Sequence, residues 1–98
     1  MTVTVDSINV NEVVEKLSNF GLEVMVEDRE ILVPAYVIHA NPRYGDMQLR
    51  QGQFEITYIN ASKRLCVYND RNECLEVYLP KDASVHFYHG YLILTLLG

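Results

Sequence analysis

Two cysteines and two histidines in the second half of the chain are the side chains that could hold a metal ion. They are Cys66, Cys74, His86 and His89. Neither pair has zinc-finger spacing, and residues three apart on a strand face opposite sides of the sheet. The two histidines could therefore share an ion only where the strand breaks at His89. We expect no metal site and interpret the histidines as exposed side chains beside a turn.

The cysteines have a second possible chemistry, because they lie on the two strands of one predicted hairpin. If Leu65 pairs with Leu75, Cys66 faces Cys74 directly, with Cβ atoms roughly 4.5–5.5 Å apart. A small local shift would then close a bridge. Cytosolic proteins are normally reduced, so Cys66 and Cys74 are a candidate disulfide, with two free thiols on one sheet face as the alternative.

No arrangement of residues points to catalysis. Glu55 and Glu76 lie on predicted strands at alternating positions, typical of solvated carboxylates rather than of a catalytic pair in an apolar setting. The five glycines are isolated, so no phosphate-binding loop is present, and there is no nucleophile elbow. We therefore expect a protein that is not an enzyme, with no catalytic residue and no cofactor.

Size and charge narrow the classes of partner. The chain has 98 residues, 8 lysines and arginines against 13 acidic residues, and a net charge of −5. Scattered cations do not suit phosphate binding, so we expect no nucleic-acid partner, whereas acidity suits a basic protein partner. No apolar run is long enough to span a membrane. The N-terminus lacks signal-peptide features, so a cytoplasmic location is expected.

One helix is well signalled over about residues 10–20. Asn9 is a good N-cap, Glu12 stands three residues later as in a capping box, and Gly21 is a typical C-terminal stop. An apolar stripe recurs at helical spacing, formed by Val10, Val13, Val14, Leu17 and Phe20. The helix is therefore expected to pack on an apolar surface.

From about residue 22 to residue 97 the hydrophobic period changes to two, which is typical of strands. Turn residues separate short strands at regular intervals, and this indicates a mainly β fold. The predicted strands are 22–26, 31–38, 47–50, 53–59, 64–69, 73–79, 84–88 and 91–97. We expect residues 1–98 to form one domain, an antiparallel β-sandwich of about eight strands with the N-terminal amphipathic helix packed on it. A flat sheet with a helix on one face is the alternative.

Three tyrosines fall on the polar phase of their strands: Tyr68, Tyr78 and Tyr88. Together with Tyr91 and Ile93 they are candidates for an outward aromatic patch. Tyrosine is enriched in protein interfaces because its ring is large and apolar while its hydroxyl remains hydrated. This outer face is therefore a candidate partner-binding surface.

The order of segments over about residues 23–97 resembles the small heat-shock protein, or α-crystallin, domain. The segments that carry the resemblance are 30–38, 46–56, the strand Leu75–Pro80 that ends in Leu-Pro, and 84–96 with its Gly-x-Leu. Of the family signature Ala-x-x-x-Asn-Gly-Val-Leu, Gly90 and Leu92 are present, whereas Val85, His89 and Tyr91 replace its Ala, Asn and Val. The chain also lacks the Ile-x-Ile tail, so a large shell is not expected.

The resemblance implies a partner-binding groove between two strands. Met47, Leu49, Val85 and Phe87 would line it, and its edges would accept a peptide strand. The alternative is that these four side chains belong to the ordinary core. The function it implies is a protein-binding module that holds unfolded clients or docks on a chaperone.

Two further functions fit the same composition. One is a small acidic viral or mobile-element protein that inhibits a host factor by direct binding in the host cytoplasm. The other is a structural subunit of an assembly, using the apolar outer positions of Tyr91, Ile93 and Leu97. A homodimer through an exposed edge strand is expected, because long edges seldom stay unpaired.

Overall fold

The computed structural model describes residues 2–6 and 9–96. Leu97, a candidate contact of a structural subunit, lies outside these residues. The helix α1 spans Val10–Phe20 and confirms the expected helix. The Asn9 side chain accepts a hydrogen bond from the Glu12 N–H at 2.9 Å, and Gly21 ends the helix in a left-handed conformation that suits glycine.

Ten strands form two sheets in the described part of the chain. Their bounds are β1 Thr2–Asp6, β2 Met25–Glu27, β3 Glu30–Pro34, β4 Tyr36–Asn41, β5 Asp46–Gln51, β6 Phe54–Ile59, β7 Arg64–Tyr68, β8 Cys74–Tyr78, β9 Ser84–Tyr88 and β10 Tyr91–Thr95. The larger sheet has the order β1-β8-β7-β6-β5-β4, and the smaller has the order β2-β3-β10-β9. β1 is parallel to β8, and every other pairing is antiparallel. The expected mainly β sandwich with one helix is confirmed.

A single continuous strand over 31–38 was a wrong expectation. The chain forms β3 in the smaller sheet, leaves it at Ala35, and continues as β4 at the edge of the larger sheet. β2 pairs with β3 only as far as Leu32, so no described strand flanks Pro34 on that side. Proline is tolerated at such a position because it has no N–H to donate to a ladder.

The Gln51 side chain holds the crossing between the two sheets. Its Nε2 donates to the Pro34 carbonyl at 2.8 Å and to the Glu23 carbonyl at 3.0 Å. Its Oε1 accepts from the Glu23 N–H at 2.8 Å. One amide thus satisfies backbone groups of the segment that precedes β2 and of the end of β3, where no strand ladder is available to them.

The core lies between the two sheets and includes one face of the helix. The helix and the smaller sheet contribute six fully buried apolar side chains: Val13, Leu17, Ile31, Val33, Leu92 and Leu94. The larger sheet contributes six more: Leu49, Ile56, Tyr58, Leu65, Val67 and Val77. The helix end approaches the larger sheet, where the Phe20 and Phe54 ring centroids are 6.1 Å apart. The α1 helix therefore connects both layers.

Candidate functional site

The outer face of the smaller sheet carries an apolar surface that crosses its strands. The register aligns Met25, Leu32 and Ile93 in one cross-strand row, and Pro34, Tyr91 and Tyr88 in the next. We call these six residues the apolar face. Met25 is 44% exposed and Tyr88 61% exposed, whereas Ile93, on the inner strand β10, is only 8% exposed. Large apolar side chains on the edge strands β2 and β9 thus remain in contact with water.

Carboxylates mark one end of this face. Glu27 on β2 lies directly opposite Glu30 on β3, two residues along the strands from Met25 and Leu32. Like charges at facing positions destabilise a strand pair. Neither carboxylate is in an ion pair within the described ranges. The apolar face therefore has an acidic rim.

The structure does not bring Tyr68, Tyr78 and Tyr88 together. Tyr68 and Tyr78 lie on the outer face of the larger sheet, but Tyr68 faces Cys74 and Tyr78 faces Arg64. This places them about 13 Å apart along the strands. Tyr88 lies on the outer face of the other sheet, facing Tyr91. The single patch was a wrong expectation, and only its Tyr88, Tyr91 and Ile93 part lies on one face.

The predicted facing pair of cysteines was also wrong, by a register shift of two residues. Leu65 pairs with Val77, so Cys66 faces Glu76 and Cys74 faces Tyr68. Cα atoms at such diagonal positions are roughly 7–8 Å apart, beyond the roughly 4.4–6.8 Å usual for a disulfide. Both cysteines are buried free thiols in this structure.

The environment of Cys66 disfavours its thiolate. Burial raises the pKa of the Cys66 thiol, and this effect exceeds the opposing influence of the nearby Arg64 guanidinium. Because the thiolate is the reactive form of cysteine, Cys66 is poorly suited to nucleophilic chemistry. A hydrogen bond with Cys74 likewise raises the pKa of the Tyr68 hydroxyl.

The four groove residues lie on two different sheets. Met47 and Leu49 are on β5 of the larger sheet, and Val85 and Phe87 are on β9 of the smaller sheet. Leu49 is fully buried, and the other three are partly buried and packed against the same core. The arrangement fits the alternative of ordinary core residues, and a partner-binding role for these residues remains a prediction.

The histidines and carboxylates that could do chemistry are separated. His86 points to the outer face of the smaller sheet, while His89 lies in the turn with its ring 4.0 Å from that of Tyr88. Glu55 and Glu76 are in ion pairs with Arg50 and Arg64, at 2.9 and 3.3 Å. No group of three or more potential metal ligands occurs among residues 2–6 and 9–96.

A small cavity at the β4–β5–β6 end was not expected from the sequence. It has a volume of about 260 Å³, and Met47 and Tyr58 contribute to its lining. The Tyr58 hydroxyl donates to Asn60 Oδ1 at 2.9 Å, and the Asn60 N–H donates to Asp46 Oδ1 at 2.9 Å. Burial, with a smaller contribution from Asp46, raises the pKa of the Tyr58 hydroxyl. These bonds rigidify the loop end and leave Tyr58 a core residue.

Sequence reasoning missed the parts of the apolar face that come from β2 and β3. Met25 occupies the polar phase of the alternation that begins at Leu22, and Pro34 was interpreted only as a residue inside a strand whose missing N–H faces an unpaired side or a bulge. Apolar residues at polar-phase positions of adjacent strands were the available signal. Their alignment depends on the pairing of β3 with β10, which joins segments about 60 residues apart.

Compared with known proteins, the chain matches no family model, no curated protein and no solved structure. Within the residues that the structure describes, no helix is both long and apolar enough to cross a membrane.

Proposed function

We propose that this chain is a non-enzymatic protein-binding module that holds an apolar segment of a protein partner on the apolar face. The observation that carries the proposal is the pair of cross-strand rows with half-exposed Met25 and Tyr88 around a buried Ile93. A contiguous apolar surface on a small protein commonly marks an interaction site. A rigid sheet also binds at low conformational cost, because its backbone is already ordered.

The acidic rim defines the charge of the preferred partner. Glu27 and Glu30 face one another at one end of the apolar face, and the whole chain carries a net charge of −5. A lysine or arginine placed between the two carboxylates would relieve their repulsion. The preferred segment therefore combines apolar side chains with a basic flank, and electrostatic attraction accelerates its association.

This proposal retains the function implied by the resemblance to α-crystallin domains, which is to hold unfolded clients or to dock on a chaperone. It moves the contact surface from the groove residues to the outer face. Inhibition of one host factor uses the same face but requires a single stoichiometric partner. A structural subunit would fill the face permanently within an assembly.

Fluorescence anisotropy with labelled peptides tests the proposal. The probes share an apolar centre of Leu, Ile and Phe and differ only in flanking lysines or glutamates. We expect the lysine-flanked peptide to bind more tightly, and the double variant Met25→Ser, Leu32→Ser to reduce its affinity about tenfold or more, as for loss of interface anchors. The control is Tyr36→Ser, Ile38→Ser, which removes two exposed apolar side chains from β4, on the other sheet.

Equal losses in the two double variants, or equal binding of both peptides, would contradict this assignment. A second assay separates the modes of action. Suppression of heat aggregation of unrelated proteins, lost in Met25→Ser, Leu32→Ser, supports client holding. Absence of such suppression together with tight one-to-one binding of one basic protein supports inhibition.

A further inference from the structure

The edge strand β9 has unpaired backbone groups, and the hydrogen bonds between β10 and β3 show which residues of β9 carry them. The Ala35 N–H donates to the Gly90 carbonyl, and the Leu96 N–H donates to the Arg29 carbonyl. Even-numbered residues of β10 therefore bond towards β3. Because backbone groups alternate along an antiparallel strand, its odd-numbered residues bond towards β9.

This alternation assigns the free groups of β9. The odd-numbered residues of β10 face the even-numbered residues of β9. The N–H and C=O groups of Ser84, His86 and Tyr88 therefore bond to β10. Val85 and Phe87 direct their N–H and C=O groups away from the sheet. In the described part of the chain, no strand pairs with β9 on that side.

The edges β2 and β4 carry features that hinder strand addition, whereas β9 carries none. β2 is three residues long and ends in Glu27. β4 has a register irregularity between Val37 and His39. Short length, bulges and charges are the common protections of an exposed edge. β9, Ser-Val-His-Phe-Tyr, has a continuous register and no charged residue or proline.

We propose that β9 pairs antiparallel with β9 of a second copy of this chain, about a twofold axis at His86, and that protonation of His86 weakens the pair. Val85 of one copy then lies opposite Phe87 of the other, and each donates its outward N–H to the other's outward carbonyl. The register that places the axis at His86 is the one that satisfies all the outward groups of Val85 and Phe87 symmetrically.

The side chains of β9 match this symmetry. The large Phe87 lies opposite the smaller Val85, and the large Tyr88 lies opposite the small Ser84, so each ring has room. Charge favours a second copy at this place rather than elsewhere on the surface. Two chains that each carry −5 repel, and the neutral β9 is an edge at which they can meet without facing carboxylates.

His86 faces its own copy at the axis, in the closer, non-hydrogen-bonded type of pair. The side chains beside it are uncharged: Ile93 on β10, Leu32 beyond it on β3, and Ser84 and Tyr88 on β9 itself. Histidine is the side chain that normally changes charge between pH 5 and 8. Two facing cations destabilise a strand pair, so acidification separates the copies.

Sedimentation velocity of the full-length protein over a concentration series, at pH 8 and at pH 5.5, tests the pairing. We expect a dimer at pH 8 and about fivefold weaker dimerisation at pH 5.5, the size of one facing like-charge pair. His86→Thr should keep the dimer and remove its pH dependence. His86→Lys should weaken the dimer about fivefold or more at pH 8. The matched control, His39→Lys on β4, an edge strand of the larger sheet, should not.

A chain that stays monomeric up to millimolar concentration at pH 8 overturns the proposal. A dimer lost in His39→Lys, or one indifferent to His86→Lys, assigns another surface and overturns it as well. Circular dichroism verifies that each variant is folded. The pairing goes beyond the proposed function and does not require it. Peptide binding is tested on β2 and β3 by Met25→Ser, Leu32→Ser, so that failure of one proposal leaves the other measurable.

Discussion

Replacing Gln51 should destabilise the fold far more than its position at a strand end implies. The Gln51 side chain makes hydrogen bonds to the Glu23 N–H, the Glu23 carbonyl and the Pro34 carbonyl, of 2.8, 3.0 and 2.8 Å. Gln51→Met keeps the length and apolar stem of the side chain and removes every one of these bonds. The change therefore isolates the contribution of the amide to the sheet crossing.

The expected loss follows from the environment of each bond. The bonds to Glu23 are exposed, so water replaces them and each contributes about 0.5 kcal/mol, the lower end of the usual range. The bond to Pro34 is partly buried, and leaving that carbonyl unsatisfied costs about 1–2 kcal/mol. Gln51→Met should thus lower the free energy of unfolding by about 2–3 kcal/mol. Gln51→Glu should cost more at neutral pH, because it points a carboxylate at two carbonyl oxygens.

Urea unfolding followed by circular dichroism measures this loss. With a slope of about 1.5 kcal/mol/M, the midpoint of Gln51→Met should fall by roughly 1.3–2 M. Gln48→Met is the matched control, because Gln48 lies on the same strand but is exposed on the outer face; its midpoint should hardly change. Equal midpoints for Gln51→Met and Gln48→Met would refute the role of Gln51 as the link between the two sheets.

Two other predictions concern Gly21 and Cys66. A Cβ at Gly21, where φ is +115°, would lie 2.8 Å from Phe54 Cζ, so Gly21→Ala should lower the free energy of unfolding, measured in urea, by about 2–4 kcal/mol. The control Gly52→Ala, at φ +57° with open space around the added Cβ, should lower it by only about 1 kcal/mol. Burial raises the pKa of the Cys66 thiol above its usual 9.0, so the folded chain retains the thiol proton to higher pH than the unfolded chain does. The contribution of this protonated thiol to the free energy of unfolding is therefore complete below about pH 9 and is lost as the pH rises further. In reducing buffer, Cys66→Ala should therefore lose less stability than the wild type between pH 8 and 10.5, a difference limited to about 1.4 kcal/mol per pH unit. Similar costs for the two glycine variants, or parallel pH profiles with and without Cys66, would contradict these assignments.

Local signals were sufficient for the helix and for most strands. Asn9, Glu12 and Gly21 define the ends of α1 through contacts within a few residues of each other, so the sequence contains the information directly. The turn at His89-Gly90 was likewise predictable, because both residues adopt positive φ in a two-residue hairpin, and glycine does so readily. Alternation then identified which residues of each strand share a face.

Alternation did not reveal to which sheet a strand belongs. Tyr68, Tyr78 and Tyr88 share the polar phase of their strands, yet two of them lie on the larger sheet and one on the smaller sheet. Likewise, residues 31–38 are continuously apolar, and the passage from one sheet to the other at Ala35 leaves that pattern unchanged. Both outcomes depend on pairing between segments distant in the chain, which a period of two cannot specify.

The cysteine register was decided by one asparagine side chain in the loop between β7 and β8. Asn69 Oδ1 accepts from the Arg71 and Glu73 N–H groups at 3.0 Å each, and the Asn69 N–H donates to the Glu73 carbonyl. These bonds close a loop over residues 69–73, whose centre lies one residue beyond that of the predicted pairing of Leu65 with Leu75. Moving the centre of a hairpin by one residue moves the pairing by two, so each cysteine keeps its face but loses its facing partner. The hydrogen bonds of Asn69 thus keep Cys66 and Cys74 apart as two buried free thiols. Because Cys66 retains a thiol proton, its contribution to the pH dependence of stability can be measured.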